Sequence, residues 1–144
     1  MYHSTKKIVL GSTCFRQPFA DSHCKFLHGY NLYAKFYFKA KELDNNNWVV
    51  DFGGLKEFKK HLRKTFDHTT IISKKDPYLD KFRELNDLGI IDLIILQNIS
   101  IEMFALHCLK KANHYLEVEK SKAKCYKVEV FEHDKNSGIA KAKD

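Results

Sequence analysis

The chain has 144 residues, 44% of them hydrophobic, and 25 lysines and arginines against 18 acidic residues give it a formal charge of +7. That length suits one domain with its own core and is short for two. The longest apolar run, "GIIDLIIL", is broken by Asp92 and falls far below the roughly 20 residues that span a bilayer, so no membrane segment is expected. The opening "MYHSTKKIVLGS" lacks an apolar run ending in a small-residue cleavage site, which argues against a secretory signal. Cys14, Cys24, Cys108 and Cys125 are widely spaced with no C-x-x-C pair, the usage of free thiols in a reducing cytoplasm. Excess positive charge suits nucleic acid, a membrane surface or a phosphorylated small molecule, and by itself does not choose among them.

In chain order, "KKIVLGSTCF" reads as a first strand. In the next segment Leu32, Ala34, Phe36, Phe38 and Ala40 alternate with Tyr33, Lys35, Tyr37 and Lys39, the period-2 pattern of a strand with one face in the core. "ELDNNNW" is the turn after it. Asp51 is placed to cap a helix in which Phe52, Leu55, Phe58, Leu62 and Phe66 recur at spacings of three and four, and which delivers "FDHTT" at its end. A short helix is predicted in "DPYLDKFRELNDLG", with Asp76 as its cap, Pro77 in the first turn and Gly89 as its stop. "IIDLIIL" is a buried β-rich run. Ile101, Phe104, Ala105, Cys108, Leu109, Ala112 and Leu116 then form the apolar stripe of a second long helix. Finally "KCYKVEVFE" sets Tyr126, Val128 and Val130 on one face, pairs with "GIAKAK" across "HDKNSG", and is followed by the basic closing residues "KAKD", read as a tail.

Several polar residues stand where apolar ones belong. The even face of the second strand, continued backward, reaches Tyr30 and His28, and Glu132 continues the face of Val128 and Val130. A carboxylate at the end of an apolar stripe needs either solvent or a partner, because uncompensated burial costs several kcal/mol. A ligand edge carrying N–H donors would satisfy it bidentately. His23, Lys25 and His28 make the surroundings of Cys24 electropositive, the setting of a reactive cysteine rather than a buried small hydrophobe. Asp67 and His68 form an adjacent acid–imidazole pair at a helix exit.

The segments "CKFLHGYN", "WVVDFGGLK", "FDH", "NISIE" and "VFEHDKN" occur in an order and at spacings that resemble the 6-pyruvoyl-tetrahydropterin synthase and 6-carboxytetrahydropterin synthase family. In that family the pattern is Cys-x3-His-Gly-His, a Val-x-Asp-Phe helix start, Asp-His, Asn-Pro-Thr-x-Glu, and a late glutamate. "STCFRQ", "SHCKFLHGY" and "FRELNDLGIIDL" are similar to a diverged bacterial branch with His-Gly-Tyr in place of His-Gly-His. The resemblance implies an α+β tunnelling fold: an antiparallel four-stranded sheet with two helices on one face, the sheets of several subunits joined into a barrel. A homo-oligomer is implied, commonly a hexamer with active sites at the interfaces. The segment 76–89 is then a helical insertion.

The same resemblance implies a lyase acting on dihydroneopterin triphosphate, most simply 6-carboxytetrahydropterin synthase of the queuosine and 7-deazapurine pathway. A related enzyme of shifted outcome, a non-catalytic pterin- or purine-binding protein, and a nucleic-acid module resting on Tyr33, Lys35, Tyr37 and Lys39 are the alternatives. Cys24 matches the thiol that moves a proton on the substrate side chain, Asp67 and His68 the pair that assists it, and Glu132 the carboxylate that holds the pterin ring. Ser100 and Glu102 match the other substrate-binding motif. Three histidines hold zinc in the family. Here only His28 matches plainly, Tyr30 replaces the second, and the first falls on Cys14 or on Phe15. Aligning "LGSTC" favours Cys14, which simple alternation turns the same way as Leu10 and Ser12. The expectation is therefore a zinc shell of Cys14 and His28, completed by His23 or Tyr30.

Overall fold

The computed structural model describes residues 1–143. Two long strands, β1 (Tyr2–Phe15) and β2 (His28–Ala40), run antiparallel and form the centre of the sheet. After them come α1 (Lys56–Phe66), β3 (Thr69–Ser73), α2 (Leu79–Asp87), β4 (Leu93–Leu96), α3 (Ile101–Val118), β5 (Lys124–His133) and β6 (Asn136–Lys141). The sheet order is β4-β3-β1-β2-β5-β6. Strands β1, β2, β5 and β6 make the expected antiparallel set. Two further strands extend it: β3 lies parallel to β1 along Thr13–Phe15, and β4 lies parallel to β3.

The six-stranded sheet corrects the four-stranded expectation, and the reason is local. Thr69–Ser73 is buried at every position, as a strand covered on both faces is, so it shows no alternation by which to recognise it. Parallel strands need a crossover, and α2 is that crossover between β3 and β4. The segment 76–89 thus has a topological role. Gly89 ends α2 with φ of 75°, the left-handed conformation glycine adopts without strain, while the amide of Ile90 bonds back to Leu85.

Helices α1 and α3 cover one face of the sheet, and α2 packs on β3 and β4. Leu32, Ala34, Phe36, Phe38 and Ala40 are all buried, as are all seven apolar residues of the α3 stripe. From α1 and the 3-10 turn before it come Leu55, Phe58, Leu62 and Phe66. Phe52 does not join them. It begins the 3-10 turn Phe52–Leu55, where Asp51 accepts from the amide of Gly53 at 2.9 Å, and its ring is exposed. Phe15, Phe36, Phe38, Phe66 and Phe104 anchor the core, each burial worth roughly 1.5–3 kcal/mol.

Register shifts in β1 and in the first half of β5 break simple alternation. The β1–β2 register shifts between Val9 and Gly11, and Gly11 takes φ of 120°. Leu10 is therefore inside and so are Thr13 and Phe15, while Ser12 and Cys14 point to the opposite face. In β5, Lys127 pairs with Tyr37 but Cys125 pairs with Phe38, leaving Tyr126 as the extra residue. Cys125 is consequently the buried one. The Tyr126 ring leaves the core face expected for it and packs edge-on against His3, with a hydrogen bond of 3.1 Å.

Along β1, β2 and β5 the face opposite α1 and α3 is built of lysines and aromatic rings. Tyr33 and Phe131 stack at 4.7 Å, Lys7 sits 4.8 Å above Tyr33, and Lys127 sits 4.2 Å above Tyr37. The closing residues are not a free tail throughout, because Lys141 ends β6 and the amide of Ala142 bonds to Tyr126. Among the described residues no helix is long and apolar enough to cross a membrane.

Candidate active site

Cys24 lies in the connection between β1 and β2, on a short 3-10 turn (His23–Lys25). Ser22 caps the turn, its Oγ accepting from the Cys24 amide at 3.2 Å, and Cys24 itself is half-buried. The connection ends at His28, which enters β2 directly opposite Phe15. Residues paired across antiparallel strands project to one side, so Phe15, His28, Tyr30 and Thr13 share the helix-covered face. The His28 ring lies 4.8 Å from that of Phe15 and 5.7 Å from that of Tyr30. Its Nδ1 is 2.7 Å from the Phe26 carbonyl oxygen. A carbonyl only accepts, so in the neutral ring Nδ1 carries the proton and Nε2 is the free acceptor.

Glu132 lies near the end of β5, where the β5–β6 register slips between Phe131 and His133. Its carboxylate is half-buried and accepts no hydrogen bond from the described residues. The hydroxyl of Tyr30 feels it: burial pushes the phenol up from its ordinary range, and the charges of Glu132 and then Cys24 push it further. Cys24, Tyr30 and Glu132 therefore share one electrostatic neighbourhood. His133 adds a ring 6.3 Å from Tyr30.

Asp67 and His68 stand apart, at the exit of α1. Asp67 accepts from the Ser12 amide at 3.2 Å and from His68 Nδ1 at 2.9 Å. The Ser12 amide is the first cause that holds its carboxyl below the usual carboxylate range, and His68 adds to it. The close seat needs Gly11: a Cβ there would lie 2.3 Å from Asp67 Oδ1. His68 has φ of 57°, uncommon for a residue with a side chain, and in the neutral ring that donates Nδ1–H to Asp67 the outward Nε2 is the free acceptor. It lines a cleft on the face opposite α1 and α3 with Ser12, Cys14, Asn31, Thr70 and Asp92. Burial pushes the Cys14 thiol up, opposed in part by a hydrogen bond with Thr70.

Ser100 caps α3, its Oγ accepting from the Met103 amide at 3.0 Å, so its hydroxyl already has a structural duty. Glu102 is exposed in the first turn of the same helix, beside β6, whose Gly138 approaches so closely that a Cβ there would lie 2.8 Å from the Glu102 amide. His23 is exposed on its turn.

A profile of the 6-pyruvoyl tetrahydropterin synthase family matches residues 9–143, almost the whole chain. The chain belongs to that family. Among curated relatives, the 6-carboxy-5,6,7,8-tetrahydropterin synthase of Rickettsia typhi is 32% identical over 85 residues, 58% of this chain and 61% of that protein. That of Rickettsia conorii is 35% identical over 57 residues, 39% of this chain and 41% of that protein. The matched region thus spans about three fifths or less of these relatives. Solved structures agree over nearly the full length. An uncharacterised protein of Wolinella succinogenes superposes with a TM-score of 0.83 at 18% identity, covering 99% of this chain and 98% of that one. The 6-pyruvoyl tetrahydropterin synthase of Plasmodium vivax gives 0.66 at 15% identity, covering 97% and 98%. At such identities the likeness establishes the tunnelling fold.

The zinc shell expected from the family pattern does not fit this subunit. Phe15, which offers no ligand atom, faces His28 where a first histidine would stand, and Tyr30 occupies the second place. Cys14 is turned to the other face by the Gly11 bulge, which corrects its assignment beside His28. Among the described residues no three His, Cys, Asp or Glu side chains converge as a metal site. The sequence offered one signal for this outcome, a glycine inside a strand pattern, which marks a bulge. Cys24 and the Asp67–His68 pair are likewise not joined within the subunit: Asp67 and His68 bond to each other and to Ser12.

Proposed function

We propose that the chain is a pterin-processing synthase of the 6-carboxytetrahydropterin synthase type, with dihydroneopterin triphosphate as substrate, in the cytoplasmic route to queuosine and other 7-deazapurines. The observation that carries this reading is the Glu132 carboxylate, half-buried and without a hydrogen-bond donor among the described residues, sharing the neighbourhood of Tyr30 with the Cys24 thiol. A carboxylate so placed accepts two N–H groups from an aminopyrimidine edge. With the ring held there, the substrate side chain extends toward Cys24, which takes a proton from it, while the Tyr30 hydroxyl and His28 Nε2 offer a donor and an acceptor to its oxygens. Asp67 orients His68 so that Nε2 receives and returns that proton. No step in this sequence runs through a metal.

A homo-oligomer belongs to the same reading. Among the described residues Cys24 makes no bond to the Asp67–His68 pair, and a site shared between subunits would bring the pair of one chain to the thiol of another. The lysine- and aromatic-lined sheet face would then form the inner wall of the barrel.

A second reading, a pterin-binding protein without turnover, is favoured by one observation, the Phe15 ring against His28. The two are separated by incubating the purified protein with dihydroneopterin triphosphate, with and without added zinc, and identifying the products by mass. Conversion to 6-carboxytetrahydropterin is expected. Tight pterin binding with no conversion in either condition would replace the first reading by the second.

A further inference from the structure

The turn that carries Cys24 contributes no buried side chain to the core, and Phe19, Phe26 and Leu27 are exposed. A segment with so few buried contacts keeps one geometry only through its polar bonds. Some of these are internal, such as Lys25 N–H to Ser22 C=O and Phe26 N–H to His23 C=O. Two bonds reach the turn from outside it: the Gln17 amide donates to the Cys24 carbonyl at 2.9 Å, and the one from a rigidly seated side chain comes from Arg16, the residue after β1. Its NH1 donates to the Lys25 carbonyl at 3.1 Å, one residue past Cys24.

Arg16 is itself clamped. Its Nε donates to Asp76 Oδ2 at 2.7 Å and its NH2 to Asp76 Oδ1 at 3.3 Å, so all three guanidinium nitrogens are committed. The Asp76 side chain is 0% exposed and that of Arg16 17%. Asp76 is fixed in turn by the amide of Tyr78, which donates to Oδ1 at 2.9 Å, and by its own amide on the Ser73 carbonyl. The Tyr78 ring lies 5.6 Å from the guanidinium carbon. The expected helix cap has therefore become the seat of an arginine, and α2 begins three residues later at Leu79.

We infer that Arg16 is a positioning residue for Cys24, and that the turn joining β3 to α2 serves as its anchor. A planar fork is needed for this, since one guanidinium binds a carboxylate bidentately and still points a third nitrogen at a carbonyl, which an ammonium group does not. The brace gives the β3–α2 segment a duty beyond topology: it adds a side-chain hold from the rigid end of the parallel strands to the backbone bonds that Cys24 makes with Gln17 and Ser22. The inference rests on reading Cys24 as the working thiol, but the brace itself is tested without turnover.

The test compares wild type, Arg16→Met and Arg16→Lys. Pulsed alkylation and mass spectrometry give the labelling rate of Cys24, with Cys14 in the same chain as internal reference and the urea-unfolded protein as the upper limit. In Arg16→Met the Cys24 rate should move toward that of the unfolded chain while the Cys14 rate stays in place. In Arg16→Lys, which keeps the charge beside Asp76, the melting temperature should recover but the Cys24 rate should not, a separation that a merely structural role would not produce. Turnover should show kcat reduced by up to about 100-fold with KM unchanged, the effect of misplacing one reacting group by about 1 Å. Wild-type Cys24 labelling in folded Arg16→Met would overturn the inference. If Arg16→Met does not fold, Arg16→Lys carries the same comparison, and wild-type labelling there has the same force. Altered labelling in a protein that does not convert the pterin would leave the brace standing and remove the catalytic reading.

Discussion

Gly11→Ala is the most incisive single substitution in this chain, because one residue sets both the facing of β1 and the seat of Asp67. At φ of 120° an alanine is strained, which by itself costs about 1–3 kcal/mol. The new methyl would also lie 2.3 Å from Asp67 Oδ1 and 2.5 Å from its Cβ, so the aspartate must leave its bond to the Ser12 amide or the strand must shift. Strain alone corresponds to roughly 3–10 °C of melting temperature for a chain of this length. Thermal and urea unfolding at fixed protein concentration measure the total, and a cycle with Asp67→Gly divides it. Removing the whole Asp67 side chain clears the overlap and leaves only strain, so Gly11→Ala should cost clearly less in that background. Asp67→Ala would not serve, because its Cβ still collides. A Gly11→Ala protein within about 0.5 kcal/mol of wild type, or one equally destabilised in both backgrounds, would refute the bulge geometry.

The facing of β1 has a second consequence. Phe15→His combined with Tyr30→His would set three imidazoles on one side of the sheet with His28, and the double variant should retain zinc through dialysis as measured by metal analysis; Cys14→His with Tyr30→His should not. Burying an imidazole in place of the Phe15 ring should cost about 1–3 kcal/mol of stability. Away from the site, His107 lies against Phe66, and burial first, then Lys111 and Lys110, lowers its pKa below 6.5. The unfolded chain then binds the proton more readily. Stability present above pH 6.5 is lost as pH falls toward the folded-state pKa, and His107→Gln should flatten that part of the melting-temperature profile.

Much of the fold was legible wherever a periodic pattern ran without interruption. The alternation from Leu32 to Ala40 and the seven-residue stripe of α3 both appear as buried faces, residue for residue. Patterns failed where one residue changed the phase. At Gly11 and at Tyr126 an extra residue reverses the facing of its neighbours along the strand, which moved Cys14 out of the His28 face and Tyr126 out of the core. β3 escaped because a five-residue strand buried on both faces has no polar side to reveal it. In the site, the position of Glu132 at the end of an apolar stripe was readable, since a strand end is a local feature. The seating of Asp76 on Arg16 was not, because a pair 60 residues apart in sequence leaves no periodic trace.

Side-by-side measurement of turnover and equilibrium binding of dihydroneopterin triphosphate by Cys24→Ala and Glu132→Gln tests the central claim most directly. Cys24→Ala should lose turnover while keeping pterin affinity. Glu132→Gln should weaken binding first, by about ten- to a hundredfold, as expected when a charge-assisted hydrogen-bond pair is reduced to a neutral one. Full turnover by Cys24→Ala, or unchanged pterin affinity in Glu132→Gln, would contradict a thiol and a ring-holding carboxylate working together around Tyr30.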